Sequence, residues 1–284
     1  MPELAEVEFY RKQWNPGLGR RIQAVEVHAG ARVFRGAGAK RLARQLTGCI
    51  LLSSTAAAKQ MLFRCSGSRW LGIHLGMSGE LRREPVGYVP QTHDHLVLRQ
   101  RTWSLVFADP RMFGRILFAV GSGPPAWWRR LAPPILSDAF TAGAVAEFLR
   151  RRRGAPIKAV LLMQEQFPGV GNWMADEILW RAAIHPRRTA GSLTPRETRT
   201  LWRESRRVCR LALAAIAGAG DGVPPTLNAW IPDRWLFKHR WEDGGRCPRT
   251  GAKLVRATVG GRTTCWSPAR QKLSAQSPGS EPLR

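Results

Sequence analysis

The chain has 284 residues, 44% of them hydrophobic, with 45 Lys+Arg against 20 Asp+Glu and a formal charge of +25. That is enough apolar material for two domains with a substantial core, and the basic excess points to a polyanion, nucleic acid above all. Apolar runs such as LALAAIAG are far too short to span a bilayer, the charged first residues do not form a cleavable signal, and five scattered cysteines, an odd number, do not make a secreted disulfide framework. The expectation is a cytoplasmic, reduced setting with no membrane partner.

The chain opens MPELAEVEFY. Met1 before a residue as small as Pro2 is normally trimmed, which leaves Pro2 as a terminal secondary amine. Leu4, Val7, Tyr10 and Trp14 recur at helical spacing and predict a helix from 2 to about 14. Proline at the first helical position, with Glu3 and Glu6 in the first turn, suits a helix start. A freed Pro2 amine is also a nucleophile, because a terminal amine titrates well below a lysine, and Glu3 beside it is placed to shuttle protons. From about 20 to 120, the short apolar runs RIQAVEVHAG, CILLSST, KQMLFRC, RWLGIHLGMSG, HDHLVLRQRTWSLVFADP and GRILFAV alternate with turn residues and predict an antiparallel sandwich or barrel, with HLVLR and WSLVFA as a hairpin. The stretch GSGPPAWWRRLAPPILSD, with four prolines, reads as a linker. Helical runs follow, TAGAVAEFLRRRR, IKAVLLMQEQF, NWMADEILWRAA and TPRETRTLWRESRRVCRLALAAIAG, then the loop GAGDGVPPTLN and a small β-like module. The expected divisions are 1–122, a linker at 123–136, 137–230, 231–272 and a disordered tail at 273–284.

The motifs MPELAEVE, AAAKQMLF, IHLGMSGELR, THDHLVL, DPRMFG, GVGNWMADEILWRAAIHP and VGGRTTCW occur in an order that resembles the formamidopyrimidine-DNA glycosylase and endonuclease VIII family, from residue 1 to about 272. The resemblance implies an α+β fold: an amino-terminal antiparallel β-sandwich with a leading helix, then a helix–two-turn–helix domain and a β-hairpin finger. It implies a base-excision-repair enzyme, acting as a monomer on double-stranded DNA that contains oxidised bases or abasic sites, and associated with the nucleoid. Pro2 would attack C1′ of the sugar, Glu3 would act as acid and base, Glu6 would support them, and Lys59 would contact phosphate beside them. Such an enzyme must evert its target base and fill the hole. Met77, Arg111 and Phe113 match the wedge that does so, the apolar pair between bases and the arginine on the orphaned partner base. His93, Arg153 and Lys158 match DNA-backbone contacts, and His74 is either such a contact or a satisfied core histidine. Asn172, in GVGN at a helix start, matches a phosphate contact, and Arg262 matches the finger arginine that assists elimination.

The pattern breaks at the end. Members of the family usually carry a zinc finger of form CxxC…CxxCQ. Here the first pair reads Cys247 and Thr250, and ungapped alignment of VGGRTTCWSPARQ puts Ser267 and Arg270 at the second. Zinc needs four ligands in a closed structural site, so a zincless finger and no cofactor are expected. Ala5 stands where a second proline is usual, and GAGDGVPPTLN does not resemble the lesion-capping loop of the purine branch. Oxidised purines, such as 8-oxoguanine and formamidopyrimidines, are the expected substrates. The alternatives are a pyrimidine-specific enzyme of the endonuclease VIII kind and a non-catalytic binder of damaged DNA.

Overall fold

The computed structural model describes residues 1–220 and 222–273, and the remainder of the tail expected to be disordered lies outside the described residues. The chain divides into two units. One holds Met1–Ala132 with Ala212–Trp230, the other Pro133–Leu211 and the described residues from Ile231 onward. Among the described residues no helix is long and apolar enough to cross a membrane.

Helix α1 (Leu4–Gln13) opens the first unit. Glu3 is its N-cap: the Glu3 side chain accepts the Glu6 N–H, and the Glu6 carboxylate accepts the Glu3 N–H at 2.7 Å. This reciprocal capping box satisfies two donors that a helix start otherwise leaves without partners. Pro2 therefore stands outside the helix, not at its first position as the pattern predicts.

Two four-stranded antiparallel sheets follow. Strands β1 (Ala24–Val27), β6 (Asp94–Arg99), β7 (Trp103–Ala108) and β5 (Glu80–Pro85) form one, in that order. Strands β2 (Leu51–Ala57), β3 (Gln60–Cys65), β4 (Arg69–His74) and β8 (Arg115–Val120) form the other. Alternate residues of both enter one core: Met61, Phe63, Leu71 and Ile73 from one sheet, Leu96, Leu98, Leu105 and Phe107 from the other. The register sets Phe63 opposite Leu71 and Leu98 opposite Leu105. Each such side chain contributes about 1.5–3 kcal/mol by burial, and a slip of one residue would turn all of them to water. Trp14 closes the core, its ring 4.9 Å from Phe63 and its indole N–H donating to the Arg82 carbonyl at 3.1 Å. The expected hairpin is β6–β7, turning at residues 100–102.

Three features depart from the pattern. Helix α2 (Ala39–Leu46) interrupts the strands and buries only Ala39, Leu42 and Leu46. The polar strand β5 is held by Arg82, which pairs with Glu80, Glu84 and Asp94. The proline-rich stretch is not a bare linker: it forms the one-turn helix α3 (Ala126–Arg129), whose Trp127 ring lies on Gly72 of β4 where no side chain would fit.

In the second unit, α4 (Ala142–Arg151) starts at Thr141, whose hydroxyl accepts the Ala144 N–H at 3.1 Å. The run IKAVLLMQEQF keeps regular helix only over α5 (Ile157–Val160). Helices α6 (Asn172–Ala182) and α7 (Pro195–Ala212) follow, then the hairpin β9 (Val255–Val259) and β10 (Arg262–Trp266). After α7 comes a π-turn, Leu213–Ala217. Residues 212–230 group with the first unit by compactness, whereas the expected division at 230 sets them with the helices. The physical reason is Lys12 of α1, whose ammonium donates to the carbonyls of Ala217, Gly218 and Gly220 at 2.9, 3.0 and 2.6 Å.

Candidate active site

Met1 is 53% exposed, and Pro2 is half-buried just ahead of the buried Glu3 and Glu6. Lys59, in the turn between β2 and β3, sets its ammonium 4.0 Å from the Met1 sulfur. The structure thus brings together Pro2, Glu3, Glu6 and Lys59, a prospective amine with two carboxylates and a cation. Tyr10 lies on the same helix, its hydroxyl pushed up to about 12 by burial and by the Glu80 and Glu6 carboxylates.

Lys59 also faces the next cluster. Burial, then Lys59 and Arg115, hold His74 below the usual imidazole range. Neutral His74 accepts the Gly76 N–H on Nδ1 at 3.0 Å. That bond gives His74 a place in the organisation of this turn through Nδ1. Gly76 has φ 62 and lies against the Phe113 and Gly114 backbone, where no Cβ would fit. That contact brings the Met77 loop to the loop of Arg111 and Phe113. Met77 is 40% exposed and Phe113 47%, and the Arg111 guanidinium stands 4.9 Å over the Phe113 ring.

Buried Asp109 holds both loops. One carboxylate oxygen accepts the Ser78 hydroxyl at 2.6 Å and the Arg111 N–H at 3.3 Å, and the other accepts the Gly114 N–H at 2.6 Å. Exposed His93 sits alongside, its carbonyl accepting the Asp109 N–H at 3.0 Å. Asp109 was not singled out from the sequence, although an Asp ahead of Pro in a turn is the residue type that binds its own following backbone.

In the second unit, Gly169 at φ 88 makes the tight turn before α6, and Asn172 is the first residue of that helix. The Asn172 amide donates to the Thr263 carbonyl at 2.8 Å, next to exposed Arg262. Arg153 is exposed beyond the end of α4. Lys158 is not: it is 0% exposed and donates to the Asn172 carbonyl and to Asp176 Oδ1, both at 2.6 Å. Its expected role as a backbone contact is corrected, since a phosphate cannot reach it; it braces the Asn172 turn instead. Asp176 Oδ2 also accepts from Arg240, at 3.1 and 2.6 Å, and from the Cys265 N–H at 3.0 Å. A buried carboxylate requires such partners, and these fasten β10 to α6. The β9–β10 turn is Gly260-Gly261, at φ 57 and 73, the conformation that a two-residue hairpin favours, and Gly260 rests on Ala159 of α5.

Cys247 is buried with Trp180, Leu236, Leu254 and Cys265, and its sulfur accepts the Trp180 indole N–H at 3.4 Å. Burial raises the thiol, but hydrogen bonding led by Thr250 outweighs it and brings the thiol down to about 7. Among the described residues no three His, Cys, Asp or Glu side chains are grouped to hold a metal ion. One thiol, two hydroxyls and a guanidinium at Cys247, Thr250, Ser267 and Arg270 do not fit zinc.

Residues 1–116 match the formamidopyrimidine-DNA glycosylase N-terminal domain, and residues 131–221 the formamidopyrimidine-DNA glycosylase H2TH domain. The formamidopyrimidine-DNA glycosylase of Laribacter hongkongensis is 36% identical over 281 residues, covering 96% of this chain and 100% of its own length. That of Thermus thermophilus is 37% identical over 284 residues, covering 95% and 98%. Lactococcus lactis Fpg (MutM), solved with DNA containing an oxidised pyrimidine, is similar at TM-score 0.84 and 26% identity over 96% of this chain and 100% of that one. The same protein with abasic-site DNA gives 0.83 at 25%, over 95% and 100%. These likenesses agree with the α+β architecture of paired antiparallel sheets, helical domain and terminal hairpin. With two successive domain matches over most of the chain and relatives aligned along nearly all of it, the chain belongs to the formamidopyrimidine-DNA glycosylase family.

Proposed function

We propose that this protein is a DNA-repair glycosylase that removes oxidised bases from duplex DNA and then cleaves the strand at the abasic site, with Pro2 as nucleophile. The observation that carries the reading is the grouping at the start of α1: Pro2 outside the helix, the Glu3 and Glu6 carboxylates fixed by their capping box, and Lys59 at the terminus. Exposed Met1 is open to removal. The freed Pro2 nitrogen then bonds to C1′, and the base departs with the glycosidic electron pair, protonated at the expense of Glu3. Ring opening leaves an iminium between Pro2 and the sugar. Its positive charge acidifies the C2′ proton; loss of that proton expels the 3′ phosphate, and a second elimination expels the 5′ phosphate. Water adds to the iminium, and collapse of the adduct releases the sugar fragment as an aldehyde and restores the amine.

The exposed Met77 and Phe113 suit insertion into the base stack, with Arg111 for the orphaned base. This wedge favours oxidised purines. The Lactococcus lactis complex with an oxidised pyrimidine supports pyrimidines as a second reading, and parallel excision assays on 8-oxoguanine and an oxidised pyrimidine separate the two. The protein acts as a monomer on nucleoid DNA in the cytoplasm. Incubation of Met1-trimmed protein with abasic DNA and borohydride tests the chemistry. A covalent adduct is expected, lost with binding retained when the terminal amine is blocked by acylation. Tight abasic-site binding with no adduct in the wild-type protein would leave only a damaged-DNA binder.

A further inference from the structure

The position where the family pattern would place the last thiolate holds Arg270, and its side chain is not idle. Arg270 Nε donates to the Trp180 carbonyl at 2.7 Å and Nη2 to the Arg181 carbonyl at 3.0 Å. Both carbonyls lie in the last turn of α6, which ends at Ala183 in the left-handed conformation. A helix carboxyl end presents carbonyls without helical partners and a partial negative charge, which a planar guanidinium matches with two donors at once. The Arg270 guanidinium also lies 5.6 Å from the Trp180 ring, and that of Arg249 4.7 Å from it. Gln271 adds a second tie, donating to the Ile184 carbonyl at 2.9 Å and accepting the Ser267 N–H at 2.9 Å. Around Trp180, then, the four positions at which zinc would be bound supply a buried sulfur that accepts the indole N–H, two hydroxyl residues and a helix-capping cation.

We propose that Arg270 is a positioning residue that replaces the metal: by clamping the carboxyl end of α6 it holds the finger on that helix, with Asp176 fastening β10 further up, and so sets Arg262 for the elimination step. Only the last link, to Arg262, rests on the function proposed above. The finger is therefore ordered without zinc, and Arg270 supplies the tie at its base that a metal would otherwise make.

Limited proteolysis of the full chain within 246–266 reads finger attachment without reference to catalysis, and borohydride trapping reads the chemistry. The wild-type protein is expected to contain no stoichiometric zinc and to keep its trapping rate in chelator. Arg270→Ala should raise cleavage in the finger at least about tenfold and slow trapping in proportion, since one charge-assisted hydrogen bond is worth that much in local opening. Arg270→Lys, which keeps the charge but not the fork, should fall between. The triple variant Thr250→Cys, Ser267→Cys, Arg270→Cys, with Cys247, should bind one zinc ion, recover protease protection and trapping, and lose both in chelator. Wild-type protection in Arg270→Ala, a lysine variant no better than alanine, or one firmly bound zinc in the wild-type protein would each overturn the proposal. A protected finger in wild-type protein that gives no adduct would instead sink the catalytic reading and leave the clamp standing.

Discussion

Glu3 shows how much a single residue is asked to do: it caps α1 and, on the proposed mechanism, moves the proton that lets the base leave. Glu3→Gln keeps size and most of the cap, so folding should hold within about 1 kcal/mol. Single-turnover base excision should fall by about 10²–10⁴-fold, the range for a positioned acid or base. Thermal melts and quenched-flow assays on the same preparation check both halves. At this scale the grouping of Pro2, Glu3, Glu6 and Lys59 was legible through the motifs MPELAEVE and AAAKQMLF and their resemblance to a family, since residue types alone read as an ordinary helix start. Lys158 was not. Nothing in RRRRGAPIK marks the lysine that turns inward, and its partner Asp176 is 18 residues away and visible only once α5 and α6 are packed.

The proposed wedge is a property of two loops and not of their tips. Asp109 anchors both, so Asp109→Ala should release Met77 and Phe113 from a common frame while leaving each of them present. Three hydrogen bonds to a carboxylate are lost, and about 2–4 kcal/mol of stability should go with them. Urea unfolding measures the stability, and fluorescence of a base analogue beside an abasic site measures insertion, which should weaken more than binding does. Elements with continuous apolar runs, such as β3 with Met61, Leu62 and Phe63 all buried, could be read from the sequence because the run itself marks a covered strand. Strand β5 could not, since its order comes from Arg82 and carboxylates on its own strand and on β6, one strand beyond its partner β7. Helix α3 hides in a proline-rich stretch because only the bare surface of Gly72 gives Trp127 a seat.

For the whole molecule, the charge of +25 sets the salt response. Neutralising about six phosphates should make log affinity fall against log salt with a slope of about −5, and a titration of abasic-DNA binding measures it. Stability should also depend on pH. His74, His95 and His185 are all held below 6.5, chiefly by burial, with Lys59, His28 and Arg187 respectively adding to it. As pH falls below about 6.5 the unfolded chain takes up protons that the folded one refuses, so their contribution is present above that value and lost below it. The melting temperature should therefore drop between about pH 7.5 and 5.5; a flat profile would contradict the burial of these imidazoles. Composition and motif order made the class of partner and the family legible, but not the division of the chain, because a glycine- and proline-rich loop looks alike whichever unit captures it. Lys12 decides that capture, and with it the limits of dissection. A truncation after residue 132 would strip the sandwich of 212–230 and leave an ammonium only 7% exposed without these carbonyls, so the half that carries Pro2 is not a portable module.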